Sequence, residues 1–353
     1  MAPLGIALIG SGIFMKEQHV PAALACPLVE IKAVWSRSSK SAEETAKLVG
    51  AESGVQVYSS DSGTGKTYDD LLERSDISAL IIALPIVDQP SFIEKGLAAG
   101  KHILAEKPIA KDVETAVKLI QYYKKVSAET KATLAIAENF RFFESFKYAA
   151  ERIRQLGNMT GFVVRIGSMM DTGNKYYNTA WRTVPEYQGG FLLDGGVHNT
   201  AALRELLGNE HSVSSLIAHT SLVSSHLPPV DSINAIIQTK SGVIGSYIHS
   251  AGTAMSAHEY LVSCENGYVK VEPDKVTTVI GIGADATPTE RLWKRTSGVH
   301  EEVKAWAEAL VSGQPNPRQS PELALGDLEL MEKMLTSGDH AGERQQLQFQ
   351  YFV

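Results

Sequence analysis

The chain has 353 residues, 44% of them hydrophobic and 21% charged, and carries a formal net charge of −7. Its length suits two domains of common size, and its composition is that of a soluble globular protein. The acidic balance argues against broad nucleic-acid binding, which needs basic patches to displace phosphate counterions.

The longest apolar run, residues 79–84, is far short of the ~20 residues that a membrane span requires. No basic lead-in precedes the first apolar run, so no secretory leader is expected. Cys26 and Cys264 form no metal-like or redox pair and read as reduced thiols. The ten histidines form no spaced ligand cluster, so no metal is expected. A cytoplasmic protein, with nuclear access left open, fits these features.

In the first third, short apolar runs predict strands at 5–9, 30–35, 79–84, 102–105 and 133–137. Between them, apolar residues at helical spacing predict helices at 41–49, 92–99 and 113–126. This alternation implies a parallel sheet covered by helices on both faces. After about Asn139 the texture changes. A helix at 145–155 precedes alternating strands at 162–168, 214–221, 233–239, 243–249, 260–263 and 268–271. One polar face on such strands suggests an antiparallel or mixed open sheet. Lys240-Ser241-Gly242 and Glu265-Asn266-Gly267 read as hairpin turns. Helices at 301–311 and 321–335 close the chain, split by the loop 313–317. The domains expected are 1–138 and 139–353, with the terminal helices free to pack back near the first. An exposed sheet face is a natural homodimer surface.

Gly10-Ser11-Gly12-Ile13-Phe14-Met15 follows the first strand directly. Turn glycines allow sharp bending and close backbone approach to a pyrophosphate at a helix N-terminus. Met15 stands where a third small residue is usual, and Gly-x-Gly alone also marks a plain strand-to-helix turn. At the end of the second strand, NAD-binding folds usually carry an acid for the ribose 2′-hydroxyl. Here stands Ser36-Arg37-Ser38, with no acid until Glu43. Arg37 reads either as a solvated loop residue or as a fork for a 2′-phosphate. The missing acid favours the phosphate, and NADP(H) is the expected cofactor.

Gly10-Ser11-Gly12, Ala83-Leu84-Pro85 and the run from Gly100 through Glu106-Lys107-Pro108 follow a known pattern. With Gly189-Gly190-Phe191-Leu192-Leu193-Asp194-Gly195-Gly196-Val197-His198, the chain resembles the glucose–fructose oxidoreductase, inositol dehydrogenase and MocA superfamily. Asn174-Lys175-Tyr176 and Trp181-Arg182 resemble its small fungal NADP(H)-dependent members. The resemblance covers nearly the whole chain. It implies an α/β fold: an N-terminal Rossmann domain with a doubly wound parallel sheet, then an α+β domain with a large open, mostly antiparallel sheet. The active site is implied in the cleft between them.

The resemblance implies catalytic roles for Lys107, Asp194 and His198. Lys107 would orient the cofactor and polarise a substrate oxygen. Imidazole titrates near neutrality, which makes His198 the candidate general acid/base. Asp194 would orient substrate or lysine, or share the proton chemistry. Either residue also has a structural reading: Asp194 as the cap of a helix beginning near His198, and His198 as a satisfied interior histidine. The cofactor set expected is Gly10, Ser11, Gly12, Ile13, Phe14, Ser36, Arg37, Ser38, Leu84, Pro85, Gln89, Glu106, Lys107, Asn139, Trp181 and Arg182. Tyr176, Trp181, Asp194 and His198 are the substrate candidates, and Arg141 reads equally as a structural ion-pair partner. Gln89 stands where relatives often carry histidine, and Ala201 where many carry an acid, so sugar specificity is not carried over. The function expected is hydride transfer between NADP(H) and a small carbonyl or alcohol. A non-catalytic NADP-binding sensor or transcriptional regulator on the same fold is the other reading.

Overall fold

The computed structural model describes residues 2–50 and 53–351. In chain order the first part holds β1 (Leu4–Ile9), a π-helical turn (Met15–His19), α1 (Val20–Ala25), β2 (Val29–Ser36) and α2 (Ser39–Val49). There follow β3 (Gln56–Ser59), α3 (Tyr68–Leu72), β4 (Ala79–Ile82), α4 (Gln89–Ala98), β5 (His102–Glu106), α5 (Val113–Thr130) and β6 (Leu134–Ala137). A 3-10 turn (Asn139–Phe142) ends this part. The strands form one six-stranded sheet in the order β3-β2-β1-β4-β5-β6, with every pair parallel. That is the doubly wound Rossmann order, whose reversal beside β1 is where such sheets bind nucleotides. Central strands are apolar on both faces, and every residue of β4 is buried, as a sheet covered on both sides requires.

The next part holds α6 (Glu144–Gln155), β7 (Met159–Met169), α7 (Ala180–Thr183), α8 (Phe191–Leu207), β8 (Val213–Ser221), β9 (Ser232–Thr239) and β10 (Ile244–Ser250). It continues through β11 (Gly252–Cys264), β12 (Gly267–Glu272), β13 (Lys275–Ile280) and β14 (Thr287–Leu292). Then come α9 (Val299–Ser312), α10 (Pro321–Asp339) and β15 (Gln345–Gln346). The second sheet has nine strands in the order β14-β13-β12-β11-β7-β10-β9-β8-β15. It is antiparallel except for the parallel pair β7 and β10.

Two compact units result: residues 1–142 with 297–324, and residues 143–296 with 325–353. The first break thus falls four residues beyond the expected 138, after the 3-10 turn. Helix α9 joins the first unit because Val299, Val303, Trp306 and Ala307 enter the apolar cluster of Ile6, Met15, Val20 and Val34.

Several elements differ from the sequence expectation. β3, β13 and β14 were not expected. β14 is exposed at all six residues, so it carries no apolar alternation to read. β11 starts eight residues before the expected Tyr260 because a register irregularity between Gly252 and Ala257 breaks its alternation. In the second unit α6 and α8 cover one face of the sheet. On the other face, the pairings align Ile217, Ile236, Ser246, Val163 and Leu261 across five strands. Ile217 and Ile236 are 43% and 48% exposed, so this row carries apolar surface to solvent.

Candidate active site

Gly10 follows β1 at φ +108°, and a Cβ there would lie 2.2 Å from the Ala83 carbonyl oxygen. Only glycine allows that approach. A Cβ on Gly12 would meet nothing within 4 Å, so this stretch of backbone faces open space. Ser11 Oγ is buried without a protein partner, and Ile13 and Phe14 are half-buried. The loop is therefore a cradle of the right kind for a dinucleotide: close backbone, one unused hydroxyl and no side chain in the way. Met15, in the place of the third small residue, is fully buried and opens the π-helical turn. That turn widens the helix where the larger side chain packs; such turns recur at functional sites.

At the end of β2, Ser36 is buried and Arg37 is exposed, with no ion pair among the described residues. Ser38 was expected to offer its hydroxyl to a phosphate. Instead it caps α2, accepting from Ser41 N at 3.3 Å and donating to Ser41 Oγ at 3.0 Å. An acid missing from the β2 end enters from beyond β3. Asp61 Oδ1 accepts from Ser39 N at 2.7 Å and from Ser59 Oγ at 2.5 Å. Those two bonds, the Ser59 hydroxyl first, hold its carboxyl below the usual range. Sequence spacing gave no sign of Asp61 because it arrives from another strand.

Glu106 ends β5 and Lys107 follows, with the Lys107–Pro108 peptide cis. Gln89 opens α4 and is 1% exposed. Its Nε2 donates to the Glu106 carbonyl at 2.7 Å and to the Pro108 carbonyl at 3.3 Å. One amide thus clamps the backbone on both sides of Lys107. The Glu106 carboxylate is fixed in turn by His19, whose Nε2 lies 2.7 Å from Oε1. His19 is fully buried at the end of the π-helical turn, its ring edge-on to Phe14 at 5.4 Å. Gln89, expected to touch the cofactor, thus gives its amide nitrogen to the backbone flanking Lys107. Lys107, Leu84 and Pro85 are half-buried. Asn139, expected near the nicotinamide, donates from Nδ2 to the Ser297 carbonyl at 2.5 Å. That bond ties the 3-10 turn to the segment leading into α9. Arg141 is buried on the same turn.

In the second unit, Gly189 and Gly190 at φ +70° and +50° turn the chain into α8. The helix starts at Phe191, seven residues before His198, so Asp194 lies inside its first turn and does not cap it. Asp194 and His198 stand at i and i+4 and share one helix face. Asp194 is buried, and its Oδ2 accepts from Arg182 Nε at 2.6 Å. Arg182 was expected at the cofactor; its charge neutralises Asp194, and its guanidinium carbon lies 3.9 Å from the Trp181 ring centroid. Tyr176 lies 5.7 Å from the same carbon. A Cβ at Gly195 would meet nothing within 4 Å, whereas one at Gly196 would lie 2.3 Å from Met331 Cε. One side of this helix start is packed and the other open, and His198 is half-buried.

Sequence reading missed Tyr187. Its hydroxyl is buried without a hydrogen-bond partner among the described residues, and its ring lies 6.0 Å from Trp181. Burial pushes that hydroxyl's pKa up, and the Asp194 charge adds to the rise against Arg182. Behind α8, His249 Nδ1 lies 3.3 Å from the Tyr247 hydroxyl, and burial lowers its pKa to about 4. Lys107 thus belongs to the first unit, and Asp194, His198, Arg182, Trp181 and Tyr176 to the second. No group of three or more histidine, cysteine, aspartate or glutamate side chains among the described residues could hold a metal ion.

Comparison with known proteins agrees with both halves. Residues 4–132 match the family model described as oxidoreductase family, NAD-binding Rossmann fold. Residues 151–341 match that family's C-terminal alpha/beta domain. The dehydrogenase FPY6 of Fusarium mangiferae is 39% identical over 98% of this chain and 100% of its own length. An oxidoreductase from Thermotoga maritima superposes with a TM-score of 0.85 at 31% identity, over 98% of each chain. A 3-ketoreductase from Actinomadura kijaniata, solved with NADP and TDP-benzene, gives 0.75 at 22% identity, over 95% of this chain and 98% of that one. The chain belongs to the glucose–fructose oxidoreductase, inositol dehydrogenase and MocA family of oxidoreductases.

Proposed function

We propose that this protein is an NADP(H)-dependent oxidoreductase that moves hydride between the nicotinamide and a small aldehyde, ketone or sugar-like alcohol. The observation that carries the reading is the Lys107 turn, clamped by Gln89 and braced through Glu106 by His19. A cation held this way suits an oxygen that gains negative charge in the reaction, because nothing must reorganise as that charge develops.

The loop from Gly10 to Phe14 would hold the pyrophosphate, and Arg37 the 2′-phosphate. When bound, the nicotinamide supplies or accepts the hydride. Lys107 polarises the substrate oxygen through its ammonium group. Arg182 occupies Asp194 Oδ2, and His198 is the residue to hold and move the proton. Trp181 and Tyr176 offer aromatic surface to the substrate. NADP in the structure of the Actinomadura ketoreductase supports the cofactor choice.

We also propose a homodimer through the open sheet, since the row from Ile217 to Leu261 leaves apolar side chains outward. Two free, buried cysteines suit the cytoplasm.

Lys107→Met is expected to lower turnover at least ~10²-fold while NADPH still binds. The check is NADPH consumption against a panel of aldehydes, ketones and quinones. Unchanged turnover in that variant would overturn the mechanism. NADPH binding with no turnover by the native protein on any of them would mark a nucleotide sensor instead.

A further inference from the structure

Helix α9 carries an acid on its apolar face. Glu302 is fully buried among Val299, Val303 and Trp306, and neither of its carboxylate oxygens has a hydrogen-bond partner among the described residues. The helix packs against α1, the π-helical turn, β6 and the 3-10 turn. α1 and β6 bring no titratable side chain to it. The π-helical turn brings fully buried His19, with Lys16 and Glu17 on the same turn. The 3-10 turn brings buried Arg141, and Glu138 precedes it at 2% exposure. On α9 itself the neighbouring charges, Glu301 and Lys304, are exposed. Burial, and then the negative charges of Glu106 and Glu138, hold the Glu302 carboxyl well above the usual range.

An acid without hydrogen bonds in an apolar cluster lowers stability unless it stays neutral. α9 packs against the π-helical turn, whose His19 bonds the Glu106 carboxylate beside Lys107, and the Glu106 carbonyl is fixed by Gln89. Losing the Glu302 proton would set a second poorly solvated negative charge against Glu106 and disturb that brace.

We propose that Glu302 is a positioning residue for Lys107: a buried, unbonded carboxyl group packed against the π-helical turn, whose neutral form preserves the Glu106–His19 brace beside the lysine. The proposal rests on the reading of Lys107 as the site lysine.

The test uses the full chain without cofactor, labelled with ¹⁵N-lysine, with the Lys107 amide resonance assigned by loss in Lys107→Arg. Raising the pH should give that amide an inflection in the native protein that is absent in Glu302→Gln. Infrared spectra at neutral pH should show a protonated-carboxyl band that the same substitution removes. Should Glu302→Gln fold poorly, Glu302→Met serves both measurements. Identical Lys107 titrations, or no carboxyl band lost on substitution, would overturn the proposal. Both measurements are independent of NADPH. Failure of NADPH to bind would therefore count against the proposed function, while these spectra still decide the role of Glu302.

Discussion

In the second unit, Arg204 and Asp327 are paired at 2% and 3% side-chain exposure. Glu329 there accepts from Gln348 N, Phe349 N and the Gln350 amide. In the first unit, Glu302 lies fully buried with both oxygens unbonded, and His19 Nδ1, Gln89 Oε1 and Ser11 Oγ also lack hydrogen-bond partners. The second unit thus gives these buried acids partners within the protein, even though Arg204 Nε and the Tyr187 hydroxyl lack one there, whereas the first leaves both oxygens of Glu302 bare. Buried polar groups are normally bonded, so a carboxyl left bare in an apolar cluster costs stability.

The contrast can be broken most strongly at Arg204. Arg204→Met leaves Asp327 buried beside an apolar chain, and the expected loss is ~3–5 kcal/mol in denaturant unfolding. A loss below about 1 kcal/mol would mean that the pair is merely tolerated.

His249 gives the next largest effect. Its pKa falls to about 4 in the folded state, because burial, helped by His258, disfavours the charged ring. Unfolded, it would titrate near ~6.5. Its neutral form therefore contributes full stability above the unfolded value, and that contribution is lost as pH falls toward 4. The expected loss is roughly 3 kcal/mol over that window. His249→Gln should flatten this acid limb, and an unchanged limb would assign it elsewhere.

Glu302 acts with the opposite sign. A raised carboxyl pKa favours the folded state at low pH. That advantage is lost as pH rises from the ordinary carboxylate range toward the folded value, with a slope of at most ~1.4 kcal/mol per unit. Glu302→Gln should match the native protein in acid and exceed its melting temperature increasingly as pH rises. Parallel curves for the two proteins would show that Glu302 is not neutral in the fold.

The same contrast explains what was legible in the sequence. Gly10-Ser11-Gly12 and Glu106-Lys107-Pro108 are contiguous, so their backbone geometry is written locally. The Asp194–His198 spacing also translated directly into one face of α8. What could not be read were pairings made by the fold: His19 with Glu106 across 87 residues, Asn139 with Ser297 across 158, Arg204 with Asp327 across 123. The two backbone targets of Gln89, carbonyls of the lysine turn, leave no trace in sequence either. Glu302 did leave one. It sits three residues after Val299 and four before Trp306, an acid at an apolar helical position.

The most direct measurement is a titration of the purified protein with NADPH and NADH separately, by nicotinamide fluorescence, in the native chain and in Arg37→Ala. NADPH should bind at least about tenfold tighter than NADH, and the preference should vanish in the variant, since one charged contact to a phosphate is worth that much. Equal binding of both cofactors, or a preference that survives the loss of Arg37, would contradict the assignment of NADP(H) to the β2 end. Binding of neither would remove the basis for hydride transfer altogether.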